Sequence, residues 1–405
     1  MESKSRGRNK DRFLEAIAAI LNLAICRNDA LRQHELRQHG ENPAIAVNLS
    51  LVGVKPTGLA TYARNLIPYL DLPGLTLLAP ATFPRDEWLG NCEYQDIPAN
   101  LTAEQGKLGH FRRLSWTQFQ LPKLCQRLRS PLLFSPVPEM PLFSGSAAVV
   151  VVHDLIPLRF PRWTSPLTQY SRYYVPQVLA QAKHIICNSL ATAQDIVDYF
   201  GIFTSKITPI PLAHDAKHFR VLPTHPPDRP YFFYIGRPDP YKNLHRVLSA
   251  FAALSPHHDA ELWIAGSPDP RYTPLLQAQA SELEVGDRVR FLDYVAYDQL
   301  PILMNQAIAL VFPSLWEGFG FPVLEAMSCG TPVLTSNLSS LPEVAGDAAM
   351  LVNPYNQAEI AAALQTLLTD EGARSQLRAA GLLRASQFSW QKTGQATAEV
   401  LRRYL

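Results

Sequence analysis

A chain of 405 residues is long enough for two domains, and 37 basic against 35 acidic residues leave a net charge of +2, too small to mark a nucleic-acid binder. Apolar residues make up 47% of the chain and charged residues 18%. An average soluble protein carries about 25% charged residues, so this composition excludes a disordered or fibrous chain and allows large buried sheets.

Residues 1–43 read as a poorly ordered or start-site extension that precedes the fold. A basic opening leads into FLEAIAAILNLAIC at 13–26, where Glu15 interrupts the apolar run and no small-residue cleavage site follows, as a signal peptide would need. No stretch reaches the 18 or more apolar residues of a membrane span. The cysteines, Cys26, Cys92, Cys125, Cys187 and Cys329, lack paired spacing, which argues against zinc ribbons and disulfide frameworks and for a reducing, cytoplasmic compartment.

The first domain is expected over residues 44–220. AIAVNLSLV at 44–52 is a buried strand, followed by the loop GVKPTG and the helix LATYARNLIPYL. Apolar runs at 75–79, 132–135, 147–153 and 184–189 continue the pattern, as parallel strands covered on both faces require. The proline-rich VLPTHPPDRP at 221–230 is the linker. A second domain over 231–387 restarts the alternation with YFFYIGR, ELWIAGS, RVRFLDYV, IALVFPS and PVLTSN as strands. Regular strand–helix alternation specifies a doubly wound parallel sheet in each half, with ligands bound at the carboxyl ends of the strands.

Within that frame the richest segment is PSLWEGFGFPVLEAMSCGTPV. Glu317 and Glu325 flank Gly318 and Gly320, residues that let a backbone approach a ligand, and Pro322 suits the first turn of the next helix. Free amides at that helix start can bind hydroxyl or phosphate oxygens. Eight residues span about 12 Å along a helix, more than a hydrolytic carboxyl pair uses, so glycoside hydrolysis is disfavoured. In GRPDPYKN, Arg237 and Lys242 place two cations just past a strand end, where they suit a diphosphate.

Together EGFGFPVLE, GRPDPYKN and the earlier VHDLIPL resemble family 4 glycosyltransferases, retaining nucleotide-sugar-dependent enzymes of the GT-B architecture. The resemblance runs from about residue 44 to the end, where 388–405 matches a helix that crosses back to the first domain. It implies a fold of two Rossmann-like domains facing across a cleft. It also implies roles for single residues. Arg237 and Lys242 would neutralise the diphosphate leaving group, and Glu317 with the amides of Gly318, Phe319, Gly320 and Phe321 would hold the donor sugar. Glu325 would bond the ribose, Gly58 would let a loop close over the phosphates, and His153 would face the sugar's distal hydroxyl. The HDLIPLRFP stretch looks most like the mannosyltransferase-like branch that builds polysaccharides. That branch implies a hexosyl, mannosyl, transfer from GDP-mannose to a glycan or lipid-linked acceptor, with UDP-sugars as the alternative donors. The implied mechanism is front-face transfer with no required metal or other cofactor.

Three competing classes can be set apart. A dinucleotide oxidoreductase needs GxGxxG after the first strand, which VNLSLVGVKPTG lacks. A phosphorylase needs a lysine-bound pyridoxal group. A non-catalytic sugar-binding descendant would lose the phosphate cations or the glutamates, and all are present. Residues 105–138 hold Lys107, Arg112, Arg113, Lys123, Arg127 and Arg129 with no acidic residue, interleaved with Phe111, Trp116 and Phe119. Such a basic aromatic helix can lie peripherally on an anionic inner membrane face.

Overall fold

The structure, a computed structural model, describes residues 45–53, 58–83, 92–254 and 259–405. The extension expected over 1–43, with Cys26 and the apolar run at 13–26, lies outside the described residues, as does the loop stretch 54–57.

Among the described residues thirteen strands form two sheets, every recorded pairing being parallel. The first contains β1 (Ile45–Asn48), β2 (Leu75–Pro80), β3 (Glu93–Ile97), β4 (Leu132–Ser135), β5 (Ala147–Val152), β6 (His184–Cys187) and β7 (Ile207–Pro209), ordered β3-β2-β1-β4-β5-β6-β7. The second contains β8 (Tyr231–Ile235), β9 (Glu261–Ala265), β10 (Val289–Asp293), β11 (Ala309–Phe312), β12 (Val333–Ser336) and β13 (Met350–Val352), ordered β10-β9-β8-β11-β12-β13. Central strands such as β1, β4 and β11 are buried along their whole length, because helices cover both faces. The edge strands β3 and β13 are partly exposed and lack a continuous apolar run.

Six helices frame or brace the cleft: α1 (Gly58–Leu66), α2 (Gly106–Phe119), α3 (Leu190–Phe200), α4 (Leu244–Ala252), α5 (Phe321–Ser328) and α6 (Trp390–Arg402). Ser189 caps α3 by accepting the Thr192 amide at 3.1 Å, and Gly201 ends it in the left-handed conformation. No helix among the described residues is long and apolar enough to cross a membrane.

The basic segment departs from the single helix expected of it. It divides into α2, a second helix at Leu121–Arg127 and then β4. In α2, Arg113 and Trp116 turn inward. Arg113 forks the buried carboxylate of Glu139, with Nε to Oε2 and Nη2 to Oε1 both at 2.9 Å, since an unpaired carboxylate there would be costly. Leu108, Phe111, Arg112 and Phe119 face outward and are exposed, Phe111 to 70% and Phe119 to 66%.

Helix α6 leaves the second sheet and docks on the first domain. Arg402 Nη2 donates to the Asp71 carbonyl at 2.5 Å, Tyr404 Oη lies 3.0 Å from His184 Nδ1, and the Thr393 hydroxyl donates to the Pro211 carbonyl at 2.8 Å. The close approach centres on Gly394, where a Cβ would stand 2.5 Å from Tyr69 Cβ and 2.6 Å from the Tyr69 carbonyl oxygen.

That contact yields a stability prediction. Gly394→Ala improves intrinsic helix propensity yet should destabilise the protein by about 1–3 kcal/mol, because backbone must shift to admit the methyl group. Denaturant melts read the difference, and a variant as stable as wild type would show that α6 is not tightly seated.

Candidate functional site

The site is built around the loop that leaves β11 and enters α5. A Cβ at Gly318 would lie 2.0 Å from the His153 carbonyl oxygen and 3.0 Å from Asp154 Cβ, so only glycine allows this second-domain loop to touch the exit of β5. The Gly318 carbonyl accepts from the Ser189 hydroxyl at 2.7 Å. Gly320 precedes α5 with φ +112°, a conformation that strains any other residue. The Ser340 hydroxyl braces the loop, 3.0 Å from the Glu317 carbonyl and 2.8 Å from that of Phe319. The amides of Gly318, Phe319, Gly320 and Phe321 have no partner among the described residues, as the first amides of a helix lack one within it.

The structure brings Lys242 and Glu317 together. Lys242 Nζ donates to Glu317 Oε1 at 2.7 Å and to Oε2 at 2.9 Å. This corrects the expectation of an open cation, since the Lys242 side chain is 16% exposed and engaged by the carboxylate. Asn243 holds Lys242 in place. It takes the left-handed conformation (φ +64°), is fully buried, and donates its amide to the Pro313 carbonyl at 3.0 Å and that of Pro354 at 2.7 Å. Arg237, by contrast, is 64% exposed, and its side chain makes no hydrogen bond among the described residues, only loose ion pairs with Asp239 at 3.6 Å and Asp269 at 3.7 Å.

His153 Nε2 lies 2.8 Å from the Pro136 carbonyl, which can only accept, so Nε2 carries the proton. Burial pushes the imidazole down to about 4, against the raising effect of that carbonyl, so the ring is neutral near pH 7 and Nδ1 is an acceptor. The Tyr62 ring packs edge-on against it, centroids 4.7 Å apart. Glu325, on α5, is partly buried. Burial first, and the Asp215 carboxylate second, push its carboxyl up to about 8. The Phe319 and Phe321 rings pack on each other at 5.6 Å, and Phe319 also meets Phe388 at 6.1 Å. Gly58 begins α1, and a Cβ there would meet nothing within 4 Å among the described atoms.

Several groups escaped the sequence reading. Asp154 stands beside Gly318, with Oδ1 accepting the Ile156 amide at 3.0 Å. The HDLIPL motif offered the signal for it, directly beside His153. Glu343 accepts the Leu190 amide at 2.7 Å and the Ala191 amide at 2.8 Å, so a second-domain carboxylate sits on the N-terminus of first-domain α3. The Arg159 guanidinium lies 3.4 Å over the Trp316 ring while also pairing with Asp195, and Phe160 stacks on Tyr241 at 5.5 Å. These pairs join residues far apart in the chain and leave no local pattern.

Chemically, the site combines amides without a partner, one exposed guanidinium, a paired ammonium, and a neutral imidazole with an open acceptor. That set suits a polyhydroxylated ligand carrying a diphosphate.

Comparison with known proteins agrees. Residues 57–218 match the profile described as Glycosyltransferase Family 4, and residues 216–384 that described as Glycosyl transferases group 1. O-antigen chain mannosyltransferase B of Escherichia coli is 32% identical over 262 residues, covering 60% of this chain and 67% of that protein. O-antigen chain mannosyltransferase RfbU of Salmonella typhimurium is 26% identical over 328 residues, covering 79% and 90%. Among solved structures, sucrose-phosphate synthase from Thermosynechococcus elongatus superposes with a TM-score of 0.70 at 20% identity, covering 90% of this chain and 99% of that one. The architecture of two facing doubly wound domains is GT-B.

The partly buried Glu325 gives a pH prediction. Its carboxyl rises from the ordinary 4.5 to about 8 on folding, so the folded state holds a proton that the unfolded state releases. Stability from this group is therefore full below about 4.5 and is lost as pH rises through about 8. Glu325→Gln should match wild type near pH 5 and gain a melting-temperature advantage that grows up to about pH 8. A constant difference across that range would refute the raised carboxyl.

Proposed function

Since this chain belongs to glycosyltransferase family 4, we propose that it moves a mannosyl group from GDP-mannose to a glycan or lipid-linked acceptor in polysaccharide biosynthesis, with retention of configuration. The observation that carries this reading is the seating of the 318–321 loop, with the Lys242–Glu317 pair at its start, against the backbone of His153 across the cleft. Two relatives named as O-antigen mannosyltransferases support the choice of sugar.

The proposed chemistry uses each of these groups. The donor's diphosphate lies on the amides of the 318–321 loop, with Arg237 and Lys242 supplying the positive charge that a divalent metal would otherwise bring. Glu317 orients both the Lys242 ammonium and the sugar, and His153 Nδ1 accepts from a sugar hydroxyl. Glu325, neutral at working pH, can donate to or accept from the ribose hydroxyls. In front-face transfer the C1–O bond to phosphate breaks as the acceptor oxygen attacks C1 from the same face. The acceptor proton passes to the departing phosphate oxygen. Rate then depends on holding both substrates in line and on stabilising charge at the diphosphate.

The reaction is placed at the inner face of a membrane. Support comes from the outward Leu108, Phe111 and Phe119, flanked by the exposed cations Lys107 and Arg112. Replacing Phe111 and Phe119 by Ser should reduce co-sedimentation with anionic vesicles while activity on a soluble acceptor persists. Equal co-sedimentation would remove the membrane reading.

The donor assignment is tested by melting the protein with GDP, UDP, GDP-mannose and UDP-glucose. Greater stabilisation by the guanosine compounds supports the proposal, and greater stabilisation by uridine compounds assigns a UDP-sugar instead. Arg237→Ala and Lys242→Ala should each lower turnover by about 10²–10³, the scale seen when one stabilising donor is removed. Unchanged turnover in both would strip them of the leaving-group role.

A further inference from the structure

Arg237 is the exposed cation of the site, yet two carboxylates stand next to it. Asp239 follows it on the same loop, and Asp269 comes from the loop after β9. The two loops run in contact because β8 and β9 are paired, with Ile235 beside Ala265. At their start a Cβ on Gly266 would stand 2.1 Å from the Gly236 carbonyl oxygen, so Gly266 permits an approach that no other residue allows. Asp269 is thereby fixed within 3.7 Å of the Arg237 guanidinium. An Asp at this distance would be expected to draw Arg237 into a two-pronged pair and hold it away from any ligand.

It does not, because Arg271 is there first. Arg271 Nε donates to Asp269 Oδ1 at 2.8 Å, its Nη2 to Oδ2 at 2.5 Å, and its backbone amide to Oδ1 at 2.9 Å. Both carboxylate oxygens are taken by one planar fork, and the hydrogen bonds from the Arg271 side chain and backbone hold the Asp269 carboxyl well below the ordinary carboxylate range. The Asp269 side chain is 9% exposed, which leaves no open side for a second fork. Arg237 is left with two loose ion pairs, 3.6 Å to Asp239 and 3.7 Å to Asp269, and its side chain makes no hydrogen bond among the described residues.

We propose that Arg271 is a positioning residue for the donor site: by occupying both oxygens of Asp269 it keeps Arg237 free to take the diphosphate. It also cancels a negative charge that would repel a diphosphate at this strand end. The inference rests on the reading of Arg237 as a diphosphate ligand.

The test is a set of variants titrated with GDP and UDP by calorimetry. Arg271→Ala should weaken binding of the better nucleotide about three- to tenfold, as Asp269 captures Arg237. Asp269→Asn keeps the oxygen that accepts the Arg271 amide and removes the competing charge, so it should bind as tightly as wild type or more tightly. The double variant Asp269→Asn/Arg271→Ala should recover to within about twofold of wild type. In an Arg237→Ala background, Arg271→Ala should add less than about twofold. Unchanged affinity in Arg271→Ala, or a loss that Asp269→Asn fails to rescue, overturns the proposal. The second result would instead mean that Arg271 touches the nucleotide or merely supports the loop. Unchanged affinity in Arg237→Ala overturns the diphosphate reading itself, and the proposal with it.

Discussion

The contact between Gly318 and the exit of β5 is the constraint on which the rest of the site depends. A carbonyl oxygen 2.0 Å from the place where any other residue's Cβ would be leaves no tolerance at that position. Because the loop can seat there, Ser189 reaches its carbonyl, Glu343 reaches the first turn of α3, and Lys242 and Glu317 come near enough to Asp154 for their charges to interact. None of these contacts is large in area. Each is directional, so together they specify one relative placement of the two sheets where a purely apolar interface would allow many.

In the absence of donor the charged groups neutralise one another. Lys242 is engaged by Glu317, and Asp269 by Arg271. Such pairing lets ionisable side chains sit half-buried in a cleft without the penalty of an isolated charge. On the function proposed, an incoming diphosphate would compete with Glu317 for the lysine, and Glu317 would accept from sugar hydroxyls what it loses from the ammonium.

Much of this fold was legible in the chain because the central strands are covered on both faces and so read as unbroken Val, Ile and Leu runs. β3, with EYQDI, and β13, with MLV, did not stand out, since an edge strand is half-exposed and too short to show a period. The glycines and prolines around Glu317 marked the loop for the same physical reason that the structure requires them: close approach and a helix start. Pairing between residues distant in the chain was not legible. Ser189 to Gly318 spans 129 residues and Arg113 to Glu139 spans 26, and nothing in either local pattern announces the partner. Lys242 reads as a free cation in the chain because a sequence shows the charge and conceals what meets it.

The docking of α6 carries a mechanical consequence. The chain passes between the two sheets once after β7 and again before α6, and the Thr393–Pro211 bond of 2.8 Å places those passages side by side. Two tethers that run together act as a hinge pin. Relative movement of the halves is thereby reduced to swinging about one line, while sliding or separation would require α6 to peel from Tyr69, Asp71 and His184. The lips of the cleft, being farthest from that line, travel most for a given swing.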